Sequence, residues 1–122
     1  MDRFFVAAGA ISAFLSVSAG AFGAHGLKDR LSPYSLQVFE TGARYQMFHA
    51  LGLILIGLLA TTRPSGTLNA AAWSMLIGTA LFSGSLYVLA LSGLRWLGAI
   101  TPIGGLAFLV GWGLLALAAY KR

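Results

Sequence analysis

Cysteine is absent from the 122 residues, acidic residues number three, and charged residues of either sign make up 9% of the chain. The first absence excludes disulfides, thiolate zinc sites and cysteine catalysis, and leaves the redox compartment open. The scarcity of charge excludes a water-soluble enzyme. Ordinary soluble domains carry about a quarter charged residues, and a globule of this size would lack the polar side chains to cover its surface. What the chain has instead is apolar length: 58% hydrophobic residues and a mean hydropathy of +0.84. Its solvent is lipid, and its length allows one domain at most. The net charge of +5 does not point to nucleic acid, because the eight Lys and Arg residues are scattered rather than gathered into a patch. Basic residues flanking apolar spans are the usual orientation signal of membrane proteins.

Four apolar stretches approach the roughly 20 residues that a helix needs to cross a hydrocarbon core of about 30 Å. They run over about 4–24, 45–61, 70–91 and 102–120. The runs lack the period-two alternation of barrel strands, and backbone groups in lipid must pair within their own segment. The expected fold is therefore an all-α membrane protein with four transmembrane helices. Ala19-Gly20-Ala21 has the form of a signal-peptide cleavage site, but the first run is long for a signal h-region and is read as a membrane helix. His25 closes that run before Gly26, a residue able to adopt a left-handed cap.

The first connection is not a bare loop. Ser32-Pro33 has the form of an N-cap and first-turn proline, and Leu36, Phe39, Ala43, Gln46 and Ala50 recur at three- and four-residue steps. An amphipathic segment over about 33–44 follows. It either lies on the membrane surface or runs on into the second span, with Gly42 as the expected bend if the two are separate. The two halves of the chain show no convincing internal repeat, so an inverted-repeat transporter is not supported.

Small residues form strips. Ser12, Ser16, Gly20 and Ala24 repeat every four positions, and Ala80 with Gly84 and Ala107 with Gly111 offer similar pairs. Such strips let helix backbones approach closely, either inside the bundle or at an oligomer interface. Trp73, Trp96 and Tyr120 fall near span ends, where amphipathic rings prefer to sit, and Trp112 lies deeper as a packing residue.

The polar residues His25, Glu40, Arg44, Tyr45, Gln46 and His49 are the candidate cluster. Glu40 and Arg44 stand one helical turn apart in the favourable order for an ion pair, as Tyr45 and His49 stand one turn apart on another face. Chain direction is expected to bring His25 and His49 near the same interface. Three readings follow. The bland one is a structural cluster bonded to backbone carbonyls. The second is haem, metal or a lipophilic ligand held by the two histidines, although two ligands make an incomplete metal site. The third is ion or small-molecule passage, opposed by the lack of any acidic residue or histidine in the third and fourth spans.

Two segments carry a family resemblance. Gly20-Ala21-Phe22-Gly23-Ala24-His25-Gly26-Leu27, and Phe39-Glu40-Thr41-Gly42-Ala43-Arg44-Tyr45-Gln46-Met47-Phe48-His49-Ala50-Leu51, resemble the small membrane proteins grouped as domain of unknown function 423, related to transmembrane protein 256. Ser83-Gly84-Ser85-Leu86-Tyr87 and Thr101-Pro102-Ile103-Gly104-Gly105 are similar to that family's later motifs. The resemblance covers essentially the whole chain and implies a bacterial inner-membrane protein, but supplies no reaction. The function expected is that of a non-enzymatic, cofactor-free subunit that sits in the lipid bilayer and self-associates or joins a larger membrane complex. Four spans place both termini on one side. Arg3, Arg63, Lys121 and Arg122 then face Lys28, Arg30, Arg44 and Arg95 across the membrane, and neutralisation of Arg44 by Glu40 tips the expectation to cytoplasmic termini.

Overall fold

The computed structural model describes residues 2–121, and four rods of helix account for most of them. Helix α1 is Asp2–His25 and α2 is Pro33–Thr62. The third rod joins α3 (Gly66–Gly78) to α4 (Gly84–Ser92) through a π-helical turn at Thr79–Ser83. A 3-10 turn at Arg95–Ala99 leads into α5, Thr101–Lys121. All four rods are long and apolar enough to span a bilayer. Arg122, counted above for orientation, lies outside the described residues.

Local chemistry sets the ends. Ser32 Oγ accepts the Ser35 backbone N–H at 3.1 Å with Pro33 in the first turn, and Ser65 Oγ accepts that of Leu68 at 3.0 Å. The third rod stops at Gly93, whose φ of 75° is open to glycine at little steric cost. Gly26 does not take that role. It is not among the positive-φ glycines, and its N–H bonds the Phe22 carbonyl as the helix tightens to its end.

The amphipathic segment is neither a surface helix nor bent away at Gly42. It is the first part of a single 30-residue helix. Gly42 is where the third rod comes closest: a Cβ there would stand 3.1 Å from the Tyr87 ring and 3.3 Å from Leu86. The helix-propensity cost of glycine, about 1 kcal/mol, is offset by the packing it permits. The apolar face of the segment is buried at Phe39 and Ala43 against neighbouring helices rather than against lipid.

Helix α2 is the hub. α1 packs along it, α3 and α4 pack on another side, and α5 packs chiefly along α3 and the π turn. One apolar core joins Phe5 of α1, Leu53 and Ile56 of α2, and Ala71 and Met75 of α3, while Leu27, Phe39 and Ala90 form a second. In α1 the positions on α2 are Gly9, Ser12, Ser16 and Gly23, at steps of three, four and seven. The strict four-residue strip does not stay on that side. Each four-residue step turns about 40° round a helix of 3.6 residues per turn, so the strip leaves the interface. Ser16 is buried, Gly20 has nothing within 4 Å of a built Cβ, and Ala24 is exposed. Ala80 and Gly84 also face outward, whereas Gly111 is buried against the Ala71 carbonyl and Met75.

The π turn sets the phase of the third rod. Buried positions step through Leu68, Ala71, Ala72, Met75 and Gly78, and the next is Ser83, five residues on, followed by Ser85, Leu86 and Ala90. A five-residue step matches the i to i+5 pattern of a π turn and brings Ser83 and Tyr87 onto α2.

Candidate functional site

Polar side chains inside the span meet at α2. Gln46, 7% exposed, donates from Nε2 to both the backbone carbonyl and Oγ of Ser12 at 3.1 Å, and its Oε1 accepts the Tyr87 hydroxyl. One amide thus ties α1, α2 and α4 together. Two serines add carbonyl-directed bonds across helices: Ser16 Oγ to Ala43 O at 2.6 Å, and Ser83 Oγ to Gly42 O at 2.7 Å. Farther along, Ser85 and Thr101 join α4 to α5 through their hydroxyls at 2.6 Å.

His49 links α2 to α5. The Trp112 indole N–H, which can only donate, lies 2.9 Å from Nε2, so Nε2 is the acceptor. Nδ1 lies 2.7 Å from the Tyr45 carbonyl, which can only accept, so Nδ1 carries the proton. The neutral Nδ1–H tautomer satisfies both contacts. The imidazole stacks on Phe108 with ring centroids 3.4 Å apart and planes 8° from parallel. Tyr45 and Phe82 extend the aromatic group, with ring centroids 5.0 Å apart. Among the described residues, no buried side-chain nitrogen or oxygen lacks a partner. Both imidazole nitrogens are thus committed to hydrogen bonds within the bundle. We expect Trp112→Phe, which leaves Nε2 without its donor, to lower unfolding free energy by about 1 kcal/mol. His25→Gln, at an exposed helix end, is expected to change it by less than about 0.5 kcal/mol. Titration of helix content with SDS checks both.

The six residues singled out from sequence separate into two groups. Tyr45, Gln46 and His49 belong to the inter-helix network. His25 is exposed at the end of α1 and is not brought to His49. The α1 residue beside Ala50 is Gly9, sixteen positions before His25, so the two histidines stand about 24 Å apart along the bundle at 1.5 Å per residue. The expectation that they share an interface fails because α2 begins at Pro33, sixteen residues before His49, and is one continuous helix that carries His49 into the bundle. Glu40 and Arg44 line a groove between α1 and α2, outside the network. The ion pair expected between them is not formed: no Arg44 nitrogen lies within 4 Å of a Glu40 carboxylate oxygen. No group of three or more metal-ligating side chains occurs among the described residues either.

The network partners outside the candidate cluster are Ser12 in its bonding role, Ser83, Tyr87 and Trp112. Their signals in the sequence are polarity inside an apolar run and, for Ser83 and Tyr87, the family motif that holds both; Trp112 carries no polar signal beyond its indole N–H.

Four membrane-length helices bonded to one another through interior polar groups define an integral membrane protein of the polytopic, single-bundle class. The family model described as protein of unknown function DUF423 matches residues 19–105, which include α2, the third rod and, of the polar network, Gln46, His49, Ser83 and Tyr87. A UPF0382 membrane protein of Staphylococcus epidermidis is 49% identical over 119 residues, covering 98% of this chain and 97% of its own. The UPF0382 membrane protein YwdK of Bacillus subtilis is 47% identical over 120 residues, covering 98% of each chain. The chain belongs to the DUF423 family of bacterial membrane proteins. No solved structure matches it significantly.

Proposed function

We propose that the chain is a non-enzymatic subunit of the bacterial inner membrane, assembling with further copies of itself or with a larger membrane complex, and working without a bound haem or metal. The observation that carries this reading is the commitment of Gln46 and His49 to bonds between helices, which leaves the interior with structure to hold and no free base or nucleophile. Assembly is supported by the outer rods. α1 turns Ile11, Phe14 and Val17 outward, and α5 turns out Leu106 and Leu109 beside Gly113, where a built Cβ meets nothing within 4 Å. Small positions of this kind admit a second helix at close range.

The termini are cytoplasmic in this reading. Arg44 is the twelfth residue of α2, whereas Arg3 and Lys121 stand at helix ends, so Arg3, Arg63, Lys121 and Arg122 outnumber Lys28, Arg30 and Arg95 at the span ends.

The absence of cysteine makes the chain its own background for single-cysteine probes. A cysteine at Gly113 is expected to cross-link to a second copy in native membranes, and one at Lys121 to react with maleimide only from the cytoplasmic face. Native electrophoresis in mild detergent should show a species above the monomer. A lone monomer with no cross-link and no co-purifying protein removes the assembly reading, and labelling of Lys121→Cys from outside reverses the orientation.

A further inference from the structure

We propose that the groove between α1 and α2 at Glu40 and Arg44 is a binding site for a phospholipid whose headgroup carries both a phosphate and a primary ammonium. The groove has a volume of about 410 Å³ and is lined by Val17 and Gly20 of α1 and by Glu40, Arg44, Met47 and Phe48 of α2. Its depth follows from helix length. At 1.5 Å per residue the 30 residues of α2 extend about 45 Å, longer than a hydrocarbon core of about 30 Å. Counting about twenty residues back from Thr62, where Arg63 marks the opposite interface, puts the boundary near Ala43. Glu40 and Arg44 therefore flank the level at which headgroup gives way to acyl chain.

Ionisable side chains at this depth are costly unless partnered, and Glu40 and Arg44 do not approach each other within 4 Å. A headgroup can supply a counter-charge to each. The order along α2 matches the order along such a lipid. Glu40 is the outer group and faces the terminal ammonium. Arg44, one turn or about 6 Å deeper, meets the phosphate through its forked donors. Met47 and Phe48 lie deeper again, where the acyl chains begin. An anionic headgroup without the ammonium places a negative charge against Glu40, and a choline headgroup offers Glu40 no N–H donor. Gly20 keeps the groove open, since a built Cβ there meets nothing within 4 Å.

The test uses the whole chain in phosphatidylcholine nanodiscs doped equally with phosphatidylethanolamine and phosphatidylglycerol, with retained lipid counted by native mass spectrometry. Wild-type protein is expected to retain phosphatidylethanolamine about tenfold over either other lipid, the scale of one charge-assisted hydrogen bond. Glu40→Gln should invert the preference toward phosphatidylglycerol, and Arg44→Gln should weaken the hold on phosphatidylethanolamine while leaving phosphatidylglycerol the least retained of the three. Gly20→Leu, which fills the groove from open space, should abolish retention while circular dichroism keeps its helical amplitude. Equal retention of the three lipids by the wild type, a wild-type preference for phosphatidylglycerol, or retention untouched by Gly20→Leu overturns the proposal.

Discussion

Gly104→Ala is expected to lower the unfolding free energy by about 3 kcal/mol, at the top of the usual range for overpacking. The reason is backbone contact. A Cβ at Gly104 would run into the Phe82 backbone nitrogen and stand 2.8 Å from the Phe82 Cα, in the π turn of the third rod. The same junction uses Gly78, whose built Cβ meets the Phe108 ring and lies 3.1 Å from the Gly104 carbonyl oxygen. Side-chain clashes relax through rotamers, but a clash with a backbone nitrogen relaxes only by moving a helix. Moving α5 away from the π turn would also stretch the Ser85–Thr101 bond and the stacking of His49 on Phe108. Gly105→Ala on the same helix is the matched control. Its Cβ would come no nearer than 3.8 Å to the Phe82 ring, an ordinary contact, so it should be neutral or stabilising by up to about 1 kcal/mol through helix propensity. SDS unfolding of the two variants side by side decides the matter. Equal midpoints would mean that α5 and the π turn do not touch at Gly104.

How much of this was legible in the residues differs by scale. The helical class and the number of membrane-length rods follow from apolar runs, because a bilayer asks only for length and internal backbone pairing. The continuity of α2 did not follow. Propensity marks Gly42 as a weak point, yet α2 is continuous through it, and Leu86 and Tyr87, more than forty positions later, pack close against it there. The π turn at Thr79–Ser83 has no sequence signal at all, because Gly78, Thr79 and Ala80 fit an ordinary helix equally well. The four-residue strip of Ser12, Ser16, Gly20 and Ala24 was visible as composition. Its drift around α1 depends on helix geometry, which sends its last members to the groove and the lipid.

The polar cluster shows the same division. Gln46 and His49 stand out as hydrogen-bonding groups in an apolar helix, and burial obliges such groups to find partners. Which partners they find is a matter of register between helices. Ser12, Tyr87 and Trp112 lie 34, 41 and 63 positions away. His25, Glu40 and Arg44 look equally polar in the sequence, and the difference between them and the network is only the direction each faces.

A double-mutant cycle across Gln46 and Tyr87 should give a coupling of about 1 kcal/mol, within the range measured for hydrogen bonds between membrane helices. Gln46→Leu removes two donors and an acceptor at once, and its expected cost is about 1–3 kcal/mol, because bonds of this kind average about 0.6 kcal/mol and reach about 1.7. The losses are unequal. Ser12 can return its hydroxyl proton to a carbonyl of its own helix one turn earlier, whereas the half-buried Tyr87 hydroxyl loses the Gln46 oxygen with no replacement in the same helix. Tyr87→Phe alone should therefore cost about 1 kcal/mol in the native background and close to nothing once Gln46 is Leu. Gln46→Glu separates geometry from amide chemistry. A neutral carboxyl there still accepts from Tyr87 but has one proton for the two Ser12 oxygens, so its stability should fall between those of the wild type and Gln46→Leu. Gln37→Leu, on the exposed side of the same helix, is the control expected to move the midpoint least. Additive effects of Gln46→Leu and Tyr87→Phe would break the link between α2 and α4, leaving Ser83 and Gly42 as the remaining polar tie between those two rods.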